Sequence, residues 1–229
     1  MDKKKVAVLL SGCGVYDGSE IHESVLTLLA LEERNIDYLC IAPDTDQHHV
    51  INHLNGDEMK ESRNVLIESA RIARGDIKSV TDVSSADFDA IVLPGGFGTA
   101  KNITKWAFSG PDGDINKDVK SLINNFISEQ KPVVALCMSP TTVAKALEGS
   151  DKHAELTVGT TSANSPYEIE AISQGMEKTG AKSVYKTVDE IAFDQKNKII
   201  TTPCYMMEAN ILEINTGIKK AIDKLVEIL

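Results

Sequence analysis

Pro132-Val133-Val134-Ala135-Leu136-Cys137-Met138-Ser139-Pro140 is the stretch that decides the fold class. The uninterrupted apolar run from Val133 to Leu136 reads as a short strand buried on both faces, the mark of a parallel sheet. Pro140 fits the first turn of a following helix, where its missing N–H is not needed. Cys137 therefore falls on a strand-to-helix turn. The dipole and the unpaired N–H groups of a helix N-terminus favour thiolate over thiol there. This is the cysteine counterpart of a nucleophile elbow. Taken alone, a strand-end cysteine is more often a small buried hydrophobe; the neighbouring loops argue for more.

Working outward, Ala90-Ile91-Val92-Leu93-Pro94 is a second such strand, closed by Gly95-Gly96-Phe97-Gly98. Val6–Leu10, Ile36–Ala42 and Lys198–Thr202 read the same way, with Glu155–Gly159 and Ser183–Thr187 as further strands. Between them lie helical patterns: about Ser19–Arg34, Glu61–Arg74 with Gly75 at its C-terminal cap, Val119–Glu129, Pro140–Leu147 and Met206–Leu229. In the first helix Ile21, Val25, Leu28 and Leu29 form the expected buried stripe. In the last, Ile211, Ile214, Ile218, Ile222 and Val226 do. Strands alternate with helices, which predicts an α/β fold, a doubly wound, mostly parallel sheet flanked by helices. No repeat or linker divides the chain, so residues 1–229 read as one domain. Ligands in such a sheet bind at the carboxyl ends of the strands. That selects the loops after Leu10, Pro94, Leu136 and Thr202.

The chain has 229 residues and a formal net charge of −10. A negative surface disfavours nucleic acid or an anionic membrane as partner. No apolar stretch approaches the roughly 20 residues of a spanning helix, and Val6–Leu10 is too short for a signal core, so the expected location is cytoplasmic. Cys13, Cys40, Cys137 and Cys204 have neither zinc-site nor redox-pair spacing. No metal and no organic cofactor is expected.

Three features could carry chemistry. Gly95 and Gly96 allow backbone N–H groups to approach a ligand closely and to donate to an oxyanion formed at Cys137. Taken alone they are also an ordinary tight turn. Glu20 and Glu23 share a helix face beside the first-strand loop. Glu20 is accounted for by N-terminal capping, Glu23 less so. A carboxyl near Cys137 would serve as general acid and base, best with one proton shared by the pair, because a carboxylate raises a thiol's pKa. His22 points roughly 100° away from each neighbour on the helix. His48, His49, His53 and His153 read as solvated. No Cys-His-Asp triad is visible.

The residues resemble the ThiJ/PfpI superfamily, with its class I glutamine-amidotransferase-like fold, most closely the ElbB branch, described as glyoxalase-like or isoprenoid-biosynthesis-associated. The segments that carry the resemblance are Leu10 to Glu23, Val50 to Leu54, Ser62 to Ile67, Leu93 to Gly98 with Ala100 to Asn102, and Thr201 to Met206. The resemblance implies a flavodoxin-like three-layer sandwich. It implies Cys137 as the elbow nucleophile and Glu23 as the glutamate bonded to it, with Glu20 as the second member of the pair. It implies Gly96 and Met138 as oxyanion-type donors, beside Gly95, around a small substrate. The amidotransferases' late His is replaced by Thr202-Pro203-Cys204-Tyr205, so glutamine hydrolysis is not expected. Met138 stands where some superfamily hydrolases carry His. The activity implied is glutathione-independent, lyase-type conversion of small 2-oxoaldehydes, glyoxal to glycolate, with protein deglycation as a side activity. A homodimer is implied too. Rival expectations are a cysteine-based oxidative-stress sensor and a non-catalytic accessory protein of isoprenoid metabolism.

Overall fold

Lys5–Leu9 (β1), Asp37–Ala42 (β2), Ile77–Ser79 (β3), Ala90–Leu93 (β4), Val133–Leu136 (β5), Ala192–Asp194 (β8) and Ile199–Thr202 (β9) form one sheet, ordered β3-β2-β1-β4-β5-β9-β8. The computed structural model describes residues 3–229. All pairings are parallel except β8 with β9. Every residue of β4 and β5 is buried, as the apolar runs required. Helices flank the sheet: Ile21–Glu33 (α1), Val65–Ile72 (α2), Trp106–Ser109 (α3), Lys117–Ser128 (α4), Ser139–Leu147 (α5), Ile169–Lys178 (α6) and Ile211–Ile228 (α7). The result is the expected three-layer, doubly wound α/β fold. The chain order reverses direction between β1 and β4, the switch point where such sheets bind ligands.

Several expectations are corrected. Glu155–Leu156 (β6) and Lys182–Ser183 (β7) form a separate parallel pair outside the main sheet. β3, β8 and α6 were not foreseen; the strands are three residues long and carry Lys78 or Asp194, so no apolar run marks them. The connection after β4 holds a turn of π-helix at Thr99–Ile103 and α3. The second helix starts at Val65 under an Asn64 cap, not at Glu61. The last starts at Ile211, where Asn210 and Glu213 cap each other reciprocally, not at Met206.

The face of α1 is the largest correction. Ile21, Val25 and Leu29 are 43%, 49% and 47% exposed, while Glu23, Ser24, Thr27, Ala30 and Leu31 are buried. The inward face is mostly small or polar because α1 lies against α7 and the site loops. The close approach to α7 is bridged at its end by Arg34, whose guanidinium bonds Asp223 at 2.7 Å. Ser24 is buried cheaply, its hydroxyl donating to the Glu20 carbonyl at 2.6 Å. In α7, Ile214, Ile218 and Ile222 are buried as expected, but Ile211 and Val226 are 45% and 43% exposed.

Candidate active site

β5 delivers Cys137 to the carboxyl edge of the sheet. Its N–H donates to the Thr202 carbonyl at 3.0 Å, extending the β5–β9 pairing by one residue. Its φ is then +58°, a left-handed conformation a non-glycine residue adopts only when its surroundings enforce it. The enforcement is local. α5 begins two residues later, and the Ser139 hydroxyl donates to the Pro94 carbonyl at 2.7 Å, tying the elbow to the loop after β4. The backbone N–H groups of Gly96 and Met138 face the Cys137 sulfur.

α1 delivers the carboxyls. Glu20 is the N-cap residue, and its carboxylate accepts the Glu23 N–H at 2.6 Å. The capping role is thus real, yet Glu20 also lines the cavity above Cys137. Glu23 is fully buried. Its carboxyl accepts N–H groups from Gly95 at 2.9 Å and from Tyr205 at 3.2 Å, and it bonds the Cys137 thiol. One side chain therefore joins the loops after β4, β5 and β9.

The two glycines are required by close approach. A Cβ on Gly95 would lie 2.3 Å from the Cys137 Cβ and 2.6 Å from the Glu23 carboxyl. Gly96 has φ +99°, and a Cβ there would lie 2.3 Å from the Glu20 nitrogen. All six residues singled out in the sequence thus meet at one place. Gly95 plays a different part from the one expected: its N–H is taken by Glu23 and its carbonyl accepts the Glu20 N–H at 2.9 Å. It positions the glutamates, leaving the donors facing sulfur to Gly96 and Met138.

Burial dominates the electrostatics. Glu23 is raised to about 8, first by desolvation and then by the charge of Glu20, against the lowering effect of its hydrogen bonds. Burial, and then the Glu23 charge, push the Cys137 thiol well above its ordinary range. At neutral pH the pair holds its protons, so the helix N-terminus does not by itself make a free thiolate, contrary to the sequence argument. The first proton leaves near pH 8, and what remains is one proton between a carboxyl and a thiol. Such a pair can give a proton to a substrate oxygen and take one from a carbon. Of the other thiols, Cys40 is buried and raised to about 12, Cys204 is fully buried, and Cys13 is partly exposed outside the cavity.

The cavity over Cys137 is small, about 260 Å³ including its mouth, below the usual range for drug-sized ligands. Phe97, Tyr167 and Tyr205 wall it. None of these was foreseen as a site residue. Phe97 stands beside the glycines, and Tyr205 beside Cys204 in a segment already marked as a strand-end loop; Tyr167 carries no local signal. His22, expected on another face, reaches the rim, where its Nδ1 lies 2.9 Å from the Tyr205 hydroxyl. Among the described residues, no group of three His, Cys, Asp or Glu side chains is arranged to hold a metal ion.

Residues 4–203 match the model of the DJ-1/PfpI family. The chain belongs to this family. It is 41% identical to the rat ES1 protein homolog, mitochondrial, over 99% of its own length and 84% of the relative's. It is likewise 41% identical to the human mitochondrial glutamine amidotransferase-like class 1 domain-containing protein 3, over 98% and 83%. Among solved structures it resembles an isoprenoid biosynthesis protein with amidotransferase-like domain from Ehrlichia chaffeensis, with TM-score 0.88 and 32% identity over 98% and 100% of the two chains. Drosophila melanogaster DJ-1beta shares the fold, with TM-score 0.58 at 16% identity over 99% of this chain and 96% of that one. The expected cytoplasmic location is overturned: the rat, human and zebrafish relatives are all mitochondrial by name.

Proposed function

We propose that this member of the DJ-1/PfpI family is a cofactor-independent, glyoxalase-like enzyme that converts small 2-oxoaldehydes to 2-hydroxy acids at Cys137. The family includes glyoxalase-like and stress-sensor members. One observation carries the reading: a single buried carboxyl, Glu23, bonds the elbow thiol, while two backbone N–H groups face the same sulfur. A carbonyl oxygen added beside that sulfur would meet those donors.

The steps balance without an outside oxidant. The Cys137 sulfur adds to one aldehyde carbon of glyoxal, and the thiol proton passes to the new alkoxide oxygen, giving a hemithioacetal. Glu23, as carboxylate, takes the proton from that carbon. The electron pair left behind makes an enediolate, stabilised by the N–H groups of Gly96 and Met138. Glu23 returns the proton to the adjacent carbon, and the hydroxyl proton on the first carbon's oxygen passes to the neighbouring oxygen, so that the second carbon becomes the hydroxymethyl group and the first a thioester. Water breaks the C–S bond, releasing glycolate and the thiol. One carbon is oxidised and the other reduced, so no electrons leave the substrate. Protein deglycation would be a side activity of the same chemistry.

Glu20 would orient Glu23 and border the substrate. A homodimer belongs to the same proposal, with the exposed Ile21, Val25 and Leu29 of α1 as the apolar face it would cover. The test of the activity is steady-state turnover of glyoxal by Cys137→Ala against wild type. A loss of at least about 10³-fold in kcat/KM is expected for removal of a nucleophile. Retention of full turnover refutes the reading.

A further inference from the structure

The cavity over Cys137 continues past its mouth. It opens into an outer groove of about 750 Å³, counting the open side. The two share Val15, Glu20, Tyr167 and Tyr205, so the groove is an extension of the reaction site and no separate depression.

The chemistry of the groove is uneven. Aromatic and apolar groups make most of its wall: Tyr16 joins Tyr167 and Tyr205, and Pro166, Met207 and Ala209 line it too. The Tyr167 and Tyr205 phenols stay neutral, because burial raises Tyr167 to about 12 and raises Tyr205 as well. The ionisable groups are Glu20, His22 and Glu208. Among the described residues, no lysine or arginine lines either space. Lys101, beside the first-strand loop, is committed elsewhere: its Nζ donates to the Tyr16 carbonyl at 2.7 Å and lies over the Phe97 ring at 5.6 Å.

We infer that this groove is a substrate subsite that takes the neutral or cationic, apolar or aromatic body of a 2-oxoaldehyde larger than glyoxal, and that it rejects anionic bodies. Flat rings match the tyrosine faces, and cations are attracted by the same faces and by the two carboxyls. A carboxylate or phosphate would lose water there with no lysine or arginine to replace it, and would face Glu20 and Glu208. The inference deepens the proposed aldehyde chemistry and rests on it for turnover, though not for binding.

Two measurements test it and keep the two ideas apart. The first is kcat/KM for glyoxal, phenylglyoxal and 4-carboxyphenylglyoxal. Phenylglyoxal is expected to exceed its carboxylated analogue at least ten-fold. Tyr167→Ala is expected to lower phenylglyoxal turnover at least ten-fold more than glyoxal turnover. Equal use of the two arylglyoxals, or equal losses in the variant, overturns the subsite. The second is an NMR titration of Cys137→Ser with phenylacetamide and phenylacetate. Phenylacetamide binding at least ten-fold tighter, with shifts at Tyr16, Tyr167 and Tyr205, supports the subsite even if no aldehyde is turned over; only the aldehyde chemistry then falls. Binding of neither, as when self-association covers the groove, or of both equally, overturns it.

Discussion

Replacing Glu23 by Gln removes the ionisation on which the site depends and leaves its size almost unchanged. In the folded chain Glu23 is raised to about 8, mainly by burial, from an ordinary value of 4.5. The folded protein therefore holds a proton that the unfolded chain has released between these values. The stabilising contribution is fully present below pH 4.5 and is lost as pH rises through about 8. At about 1.4 kcal/mol per pH unit, the loss totals about 5 kcal/mol over the whole range, and roughly 2–3 kcal/mol between pH 5.5 and 7.5. Gln has no such dependence. It carries a separate, pH-independent cost: its NH₂ cannot accept, so either the Gly95 or the Tyr205 N–H loses its acceptor, worth about 1–3 kcal/mol. A protonated Glu avoids this, since its hydroxyl oxygen can accept one N–H while donating to sulfur. Urea unfolding of both proteins at pH 5.5, 6.5 and 7.5 reads the difference. The wild type's advantage should shrink by roughly 2–3 kcal/mol across the series, a change that belongs to Glu23 because all other groups are common to both chains. A difference that stays constant within about 0.5 kcal/mol means that Glu23 ionises as an ordinary carboxyl, and the shared-proton account of the site is then wrong.

The same pair sets the kinetics: kcat/KM for 2-oxoaldehydes should rise with pH toward a plateau above about 8, as the first proton leaves Glu23 and Cys137, and the rise should vanish in the residual activity of Glu23→Gln. Gly95→Ala drives a Cβ to 2.3 Å from the Cys137 Cβ; denaturant unfolding should show a loss of about 3 kcal/mol or more, an overpacking cost at a site tied on three sides. Val25→Glu puts a charge in the middle of the exposed α1 stripe and should turn the proposed dimer into a monomer in sedimentation velocity while leaving the melting temperature of the dilute protein within about 2 °C, because surface changes rarely exceed 0.5 kcal/mol.

Legibility followed burial. β4 and β5 could be read directly because strands covered on both faces carry no polar residue to interrupt them. β8 at the sheet edge and β3, each three residues long, are invisible to the same rule, since Asp194 and Lys78 break the run. α1 shows the rule inverted. Its large apolar residues are the natural candidates for burial, yet the face turned inward holds Glu23, Ser24, Thr27 and Ala30. Periodicity marks a helix with two different faces; which face goes inward depends on what packs against it. Here that is α7 and the site loops, and it accepts small side chains and one buried carboxyl.

The sheet's central strands, the elbow at Cys137, the glycine loop beside it and the pairing of Glu20 with Glu23 were legible along the chain, because each is written as a local pattern of burial, turn chemistry or helical spacing. What these residues become together depends on the packing of elements far apart along the chain. The order β1-β4-β5-β9 sets four loops side by side, so that Tyr205, 182 residues from Glu23 in sequence, donates to its carboxyl. The same packing removes water from Glu23 and Cys137 and raises both. A protonation state is a property of the surroundings, and no local stretch of chain contains them.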